Sequence, residues 1–274
     1  MNIAFQGVPG ANSDVGIRLH FPDAHPMGYD YSEQVFDSLV EGEVDLGFVP
    51  IENSIMGNVD INADLIYRKP VAIIGEYYVP IRHCLLGLPG TSLQQIERVY
   101  SHPVALEQCR PFIQAIGAQP VPDFDTAGAA RALAHRNHPG EAAIAPALCA
   151  ELYGLEVLQE GIQQVKRNIT RFVAIVTPRN VPLELDRAKT SLAFVTRHEP
   201  GALVRCLEQF SLHGINLTRL ESRPIPENPF EYVFYVDFVG STAQENVRQC
   251  LAGMSQHISL IKILGSYPVA QPPR

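Results

Sequence analysis

The sequence predicts an α/β protein in two parts: a long N-terminal part built on mostly parallel sheet, then a shorter βαββαβ unit. Three observations carry this. Strand and helix signals alternate from Asn2 to Val176, which is the pattern of parallel α/β structure. The alternation lapses in "PRNVPLELDRAK", Pro178 to Lys189, a linker with two prolines and mixed charges. Beyond it the order becomes strand, helix, strand, strand, helix, strand, the order of a ferredoxin-like sandwich. A length of 274 residues is itself a prior for about two domains.

Asn2 to Gln6 reads as a short strand; Gly7, Pro9 and Gly10 break it, and Ser13 to Phe21 reads as a helix, with Ser13 as N-cap if the loop is an ordinary one. Ser32 reads as the N-cap of a helix carrying Val35, Phe36, Leu39 and Val40 on one face. "DLGFVPI" and "VAIIGEYYVPI" are strands, with a helix over Asp60 to Arg68 between them. "HCLLGLPG" begins a second set: a strand at Val99 to Ser101, a helix from Val104 to Ile116, and a strand at Gln119 to Val121. Thr126 then caps "AGAARALAHRN", and "EAAIAP" is a small-residue strand. Val173 to Val176 is a buried strand entered through "NITRF". In the C-terminal unit, Ser191 to Thr196 is the first strand. Pro200 suits a first helical turn, Leu203, Leu207 and Phe210 share a face, and Gly214 suits the C-terminal cap. Ile215 to Leu220 and Tyr232 to Val239 pair across a proline-rich connection. Val247, Cys250, Leu251 and Met254 stripe the second helix, and Ile258 to Leu264 closes the unit.

Composition narrows the function. Hydrophobic residues make up 46% of the chain, enough for ordinary cores. A formal net charge of -8 argues against a nucleic-acid surface. No apolar run approaches the roughly 18 residues of a membrane span. "MNIAFQGVPG" lacks the basic and apolar regions of a secretory signal. Five dispersed cysteines fit buried thiols in a reducing compartment better than a disulfide framework. A cytoplasmic protein is expected.

Metal and nucleotide motifs are weak or missing. His135 and His138 form HxxH at a helix end without a third ligand in view, so a solvated helix end is the better reading. In "GVPGANSD" the glycines turn the chain before a helix, where Asn12 or Ser13 offers an amide or hydroxyl, along with free backbone N–H groups, to an anion. An ordinary capped loop is the alternative. "VPIENS" delivers Glu52, Asn53 and Ser54 at the carboxyl end of a strand, where α/β sheets bind ligands. Glu52, if partly buried there, would serve as an acid; otherwise it is turn chemistry. "YSHPVALEQC" places Ser101 as a cap, His102 as an acid or base, and Gln108 on the following helix. "DTAGAAR" again sets a hydroxyl, Thr126, at a helix start.

Taken together and in order, "FQGVPGANSD", "VPIENS", "SHPVALEQC", "DTAGAA", "AAIAPALCAELYGL" and "NITRF" resemble prephenate dehydratase. "GALV" at Gly201 to Val204 and "ESRP" at Glu221 to Pro224 resemble its ACT regulatory domain. The chain departs from the family pattern at Val104, where Gln is usual, and at Asn12, where an aromatic residue is usual. The resemblance implies a catalytic region over residues 1–180 with two lobes like a type II periplasmic binding protein, and an ACT domain over 189–267. It implies Thr170 as the key catalytic residue, with Glu52, Asn53 and Gln108 contributing. Ala11, Asn12, Ser13, Ser54, Ser101, Thr126 and Arg171 are then the expected substrate contacts.

The implied reaction removes the ring hydroxyl and ring carboxylate of prephenate together, and aromatisation drives it without metal, nucleotide or redox cofactor. It needs a donor for the departing hydroxyl and fixed partners for two carboxylates. Thr170 suits the donor, its β-branch keeping the hydroxyl stiff; Arg171 suits a carboxylate anchor, for substrate or for structure, and Phe172 suits packing. The resemblance further implies feedback by L-phenylalanine at an ACT interface, in a homodimer or homotetramer. Gly201, Ala202, Leu203 and Val204 would present N–H groups to the effector carboxylate. Asn216, Leu217, Glu221, Ser222, Arg223 and Pro224 would supply ammonium acceptors and the pocket wall. An arogenate (cyclohexadienyl) dehydratase and a non-catalytic two-lobed amino-acid sensor are the alternatives.

Overall fold

The computed structural model describes residues 1–180, 188–225 and 228–273. The centre of the expected linker, 181–187, and part of the proline-rich connection, 226–227, lie outside the described residues. Among the described residues no helix is long and apolar enough to cross a membrane.

The elements run β1 Asn2–Gln6, α1 Asn12–His20, β2 His25–Tyr29, α2 Ser32–Glu41, β3 Leu46–Asn53, β4 Gly57–Asn58, α3 Asp60–Arg68 and β5 Ala72–Pro80. There follow β6 Cys84–Gly87, β7 Arg98–Ser101, α4 Pro103–Gln108, α5 Arg110–Ala115, β8 Gln119–Pro122, α6 Thr126–Arg136, β9 Glu141–Ala145, α7 Leu148–Tyr153, β10 Glu156–Gln159 and β11 Ile169–Val176. The last six are β12 Ala188–Thr196, α8 Ala202–Leu212, β13 Leu217–Ile225, β14 Asn228–Val239, α9 Glu245–Met254 and β15 Ile258–Pro268.

The chain forms two compact units, each discontinuous in sequence: 1–62 with 77–172 and 272–274, and 63–76 with 173–271. Two sheets of matching topology are built from residues 2–176. One has the order β2-β1-β3-β11-β5, with β4 beside β3; the other has the order β10-β6-β9-β7-β8. In each, two consecutive strands and a third set up a parallel core (β1 with β2 and β3; β7 with β8 and β9), as alternating βα units require. The fourth place is taken by a strand that has crossed from the other sheet, β11 in the first and β6 in the second. Two crossings give two lobes in the manner of a type II periplasmic binding protein.

The second unit holds an antiparallel sheet of order β13-β14-β12-β15, and α8 and α9 contribute Cys206, Phe210, Val247, Cys250 and Met254 to a core with Leu192, Phe194, Val236 and Phe238. Residues 63–76 belong here because polar side chains of this unit hold them. Lys262 Nζ donates to the carbonyls of Ile66, Tyr67 and Lys69 at 2.9, 2.7 and 2.9 Å, capping the C-terminal end of α3. Asp64 accepts from Tyr235 Oη and Arg223 Nη2, both at 3.1 Å.

Several local expectations are corrected. The single helix over 104–116 is two helices separated at Cys109, because Pro111 has no N–H to continue the ladder. Ala11, not Ser13, occupies the N-cap of α1, and Ser13 is buried in its first turn. Ser32 is the first residue of α2 rather than its cap; its hydroxyl donates to Gln6 Oε1 at 2.9 Å, while Tyr31 N donates to Gln34 Oε1. Asp125 rather than Thr126 caps α6, its carboxylate accepting from Gly128 N. Ser101 ends β7, fully buried, and donates to Ile144 O at 2.6 Å; the cap of α4 is His102, whose Nδ1 accepts from Val104 N. Glu221 to Pro224 lie inside β13, whose burial alternates. Glu221 and Arg223 therefore face one way and Ser222 and Pro224 the other.

Candidate active site

A cavity of about 980 Å³ in the first unit is lined from both of its lobes. Strand ends and helix starts deliver the lining, as open α/β sheets do. Gln6 ends β1, Asn53 ends β3, and Ala11, Asn12 and Ser13 open α1. From the second lobe come His102 and Gln108 at the two ends of α4, and Asp125 and Thr126 at the start of α6. Arg131 and His135 follow along the same helix, and Asn168 and Thr170 enter from the start of β11.

Asn53 organises the floor. Its Oδ1 accepts from the backbone N–H groups of Ile55 and Met56, both at 2.9 Å. A backbone N–H can only donate, so these two bonds decide which end of the amide is oxygen. Nδ2 must then be the donor, and it reaches Asn168 Oδ1 at 2.8 Å and Thr170 Oγ1 at 2.9 Å. Thr170 Oγ1 is thus an acceptor toward Asn53. Its own proton has no acceptor among the described residues and remains for a cavity ligand. Loop and strand are clamped alongside: Ser54 N donates to Ile169 O at 2.9 Å, and Ile169 N donates to Ser54 Oγ at 3.0 Å.

The expected site residues divide. Thr170, Asn53, Gln108, Ala11, Asn12, Ser13 and Thr126 meet in the cavity. Ser54 does not; it is the clamp just described. Ser101 is buried under β7 as a structural hydroxyl. Glu52 is not in the lining: its side chain is 44% exposed and lies 3.7 Å from Arg171 Nη1. Glu52 is therefore half-buried beside a cation rather than set in the cavity. Arg171 is buried and takes the structural alternative, a protein carboxylate as partner. Phe172 packs, stacking on Phe48 at 4.7 Å between centroids.

Among the lining residues not anticipated, Asn168 and His83 tie the floor to Gln108. Asn168 is buried and joins Asn53 to Gln108, donating from Nδ2 to Gln108 Oε1 at 3.1 Å. His83 Nε2 meets the same oxygen at 2.8 Å. Burial pushes the His83 imidazole below its ordinary value, against a smaller opposing pull from the Gln108 hydrogen bond. Asn168 stood inside "NITRF", a cluster of polar residues before a buried strand. His83 carried no signal beyond its place at a strand start.

Comparison with known proteins gives a consistent neighbourhood. Residues 3–180 match the family model described as prephenate dehydratase. Arogenate dehydratase 1 of Petunia hybrida is 39% identical over 291 residues, covering 100% of this chain and 68% of its own. The crystal structure of prephenate dehydratase from Arthrobacter aurescens in complex with L-Phe is 32% identical, with a TM-score of 0.90 over 100% of this chain and 92% of that one. GqqA, described as a novel type of quorum quenching acylase, is 35% identical, with a TM-score of 0.91 over 98% of each chain.

Proposed function

Because this chain belongs to the prephenate dehydratase family, a family of lyases, we propose that its cavity converts prephenate to phenylpyruvate with Thr170 as the hydrogen-bond donor to the leaving hydroxyl. One observation carries the role of Thr170: Asn53 occupies its oxygen with an N–H and leaves its proton unassigned. In the reaction the ring C–O bond breaks and the hydroxyl departs, with a proton, as water. The ring carboxylate departs as carbon dioxide, and its bonding pair enters the ring. A threonine is a weak acid, so it acts by hydrogen bonding or by relaying a proton. Ala11, Asn12 and Ser13 at α1 and Thr126 at α6 offer helix N-termini to the substrate carboxylates. Neutral donors suit the ring carboxylate, whose charge must be lost rather than stabilised.

The same geometry bears on acylase chemistry, the activity named for GqqA. A hydroxyl nucleophile needs a neighbouring base to take its proton. Thr170 instead receives an N–H, which favours donation over attack. Prephenate is placed ahead of arogenate because the matching family model is that of prephenate dehydratase; the two substrates differ in a keto against an amino group. Purified protein should form phenylpyruvate from prephenate with a higher kcat/KM than it shows for arogenate. The reverse ratio would reassign the substrate, and no turnover of either would leave a binding protein.

For the C-terminal unit the proposed role is an ACT domain over 189–267, behind a catalytic region over 1–180, binding L-phenylalanine and pairing with a second copy through a sheet edge. Support comes from the ferredoxin-like strand order, from the exposed edge strand β13, and from the L-Phe complex of the Arthrobacter relative. Gly201 is the N-cap of α8 with φ 78°, a conformation that side chains rarely adopt, and it opens the helix start toward an effector carboxylate. Gly201→Leu should weaken inhibition by phenylalanine at least about tenfold while leaving uninhibited turnover intact. Titration calorimetry and inhibition curves test it; an unchanged midpoint would remove this site. The five cysteines are free thiols, which supports a reducing, cytoplasmic location.

A further inference from the structure

The hydrogen-bond polarity set at Asn53 does not stop at Thr170. Asn168 Oδ1 accepts from Asn53 Nδ2, so the other end of the Asn168 amide must be its donor. That donor meets Gln108 Oε1, which fixes the Gln108 amide in turn. His83 Nε2 lies 2.8 Å from the same oxygen and can only bond to it as N–H. The imidazole is therefore held with hydrogen on Nε2. Its Nδ1 is buried and has no partner among the described residues. The backbone that carries the ring is held on both sides: His83 N donates to Gln163 Oε1 at 3.1 Å, and Ile162 N donates to His83 O at 3.1 Å. His83 is 4% exposed.

We propose that His83 is a positioning residue, whose Nε2–H locks the Gln108 side chain so that its amide N–H bonds face the cavity as donors to the substrate. Gln108 Oε1 accepts from two side and floor groups, Asn168 and His83, while its Nε2 has no partner among the described residues. A freely rotating glutamine would present oxygen or nitrogen to a ligand about equally. Opposed to a carboxylate or a departing hydroxyl, the oxygen would repel. Fixing the amide removes the wrong half of these states before substrate arrives, which is preorganisation of a donor. The role rests on the reading of this cavity as the dehydratase site.

The test uses the full-length protein with prephenate as probe. Gln and Asn at position 83 are both neutral amides, but only Gln reaches as far as imidazole Nε2. His83→Gln should keep kcat/KM within about threefold of wild type, and His83→Asn and His83→Leu should each lose on the order of tenfold or more. His83→Leu combined with Gln108→Ala should be no worse than Gln108→Ala alone, because both remove one oriented donor. In ¹⁵N spectra of the native protein the His83 ring should show a protonated Nε2 and a bare Nδ1 at neutral pH. Additive losses in the double variant, equal behaviour of Asn and Gln, or the opposite tautomer would overturn the proposal. Should His83→Leu fail to fold, the Asn and Gln pair decides. Gln108→Ala at wild-type turnover would instead overturn the cavity reading itself, and the positioning role with it.

Discussion

Thr170→Val should reduce turnover of prephenate by on the order of 10²- to 10⁴-fold, the range associated with losing a positioned proton donor. Valine keeps the β-branch and nearly the volume of threonine, so the change isolates the hydroxyl. Asn53 Nδ2 retains Asn168 Oδ1 at 2.8 Å and has Ile169 O within 3.4 Å, so the floor is not left with a wholly unpaired amide. The cost in stability should accordingly stay near about 1 kcal/mol. Thr170→Ala should behave as Thr170→Val does, and Thr170→Ser should retain a measurable share of turnover because the hydroxyl survives. Phenylpyruvate formation measures the rate, and thermal melts establish that each variant is folded. A valine variant within about threefold of wild type would show that the hydroxyl is not the donor.

The second large effect concerns stability. Lys189 Nζ and Glu76 Oε2 pair at 2.8 Å within the C-terminal unit, with side chains 8% and 1% exposed. Glu76 also accepts from Ala270 N through its other oxygen at 3.2 Å. Glu76→Leu would leave an ammonium buried without its counter-charge, and breaking such a pair costs about 3–5 kcal/mol. Replacing both residues, Glu76→Leu with Lys189→Met, should recover most of that loss, since a buried pair gains little over well-packed apolar side chains. Urea denaturation of the three variants checks both parts. A single variant within about 1 kcal/mol of wild type would show that water reaches Lys189.

Much of this architecture is written locally. The helix over Asp60–Arg68 has its expected ends, and the strand–helix alternation and the βαββαβ order are present as read. Periodicity and breakers act over a few residues, so a sequence displays them directly. The first lobe's β2 gives no strand signal because "HPMGY" contains Pro26 and Gly28, which disfavour strands; they are tolerated because β2 lies at the edge of its sheet. The helix caps lie one or two residues from their expected positions for a related reason. In "DTAG" both Asp125 and Thr126 can cap, and only the backbone path selects Asp125.

The site shows the same division more sharply. The resemblance of the ordered motifs marks Gln108 and Thr170, and residue types at a strand end and a helix start mark Asn53 and Thr126. They did not distinguish cavity residues from their supports: Ser54, Ser101 and Arg171 have the same chemistry but point at backbone or at a protein carboxylate. Nor did they reveal His83 and Asn168. The bonds that give these two their meaning join residues far apart in sequence, 115 positions from Asn53 to Asn168 and 25 from His83 to Gln108. Direction in a hydrogen-bond network is inherited from one fixed donor to the next, here from the N–H groups of Ile55 and Met56. Local chemistry is enough to say which groups are present and on which kind of element each one sits. Only the fold decides which donor meets which acceptor, because an amide or imidazole has no preferred polarity until a neighbour that can only donate has been packed against it.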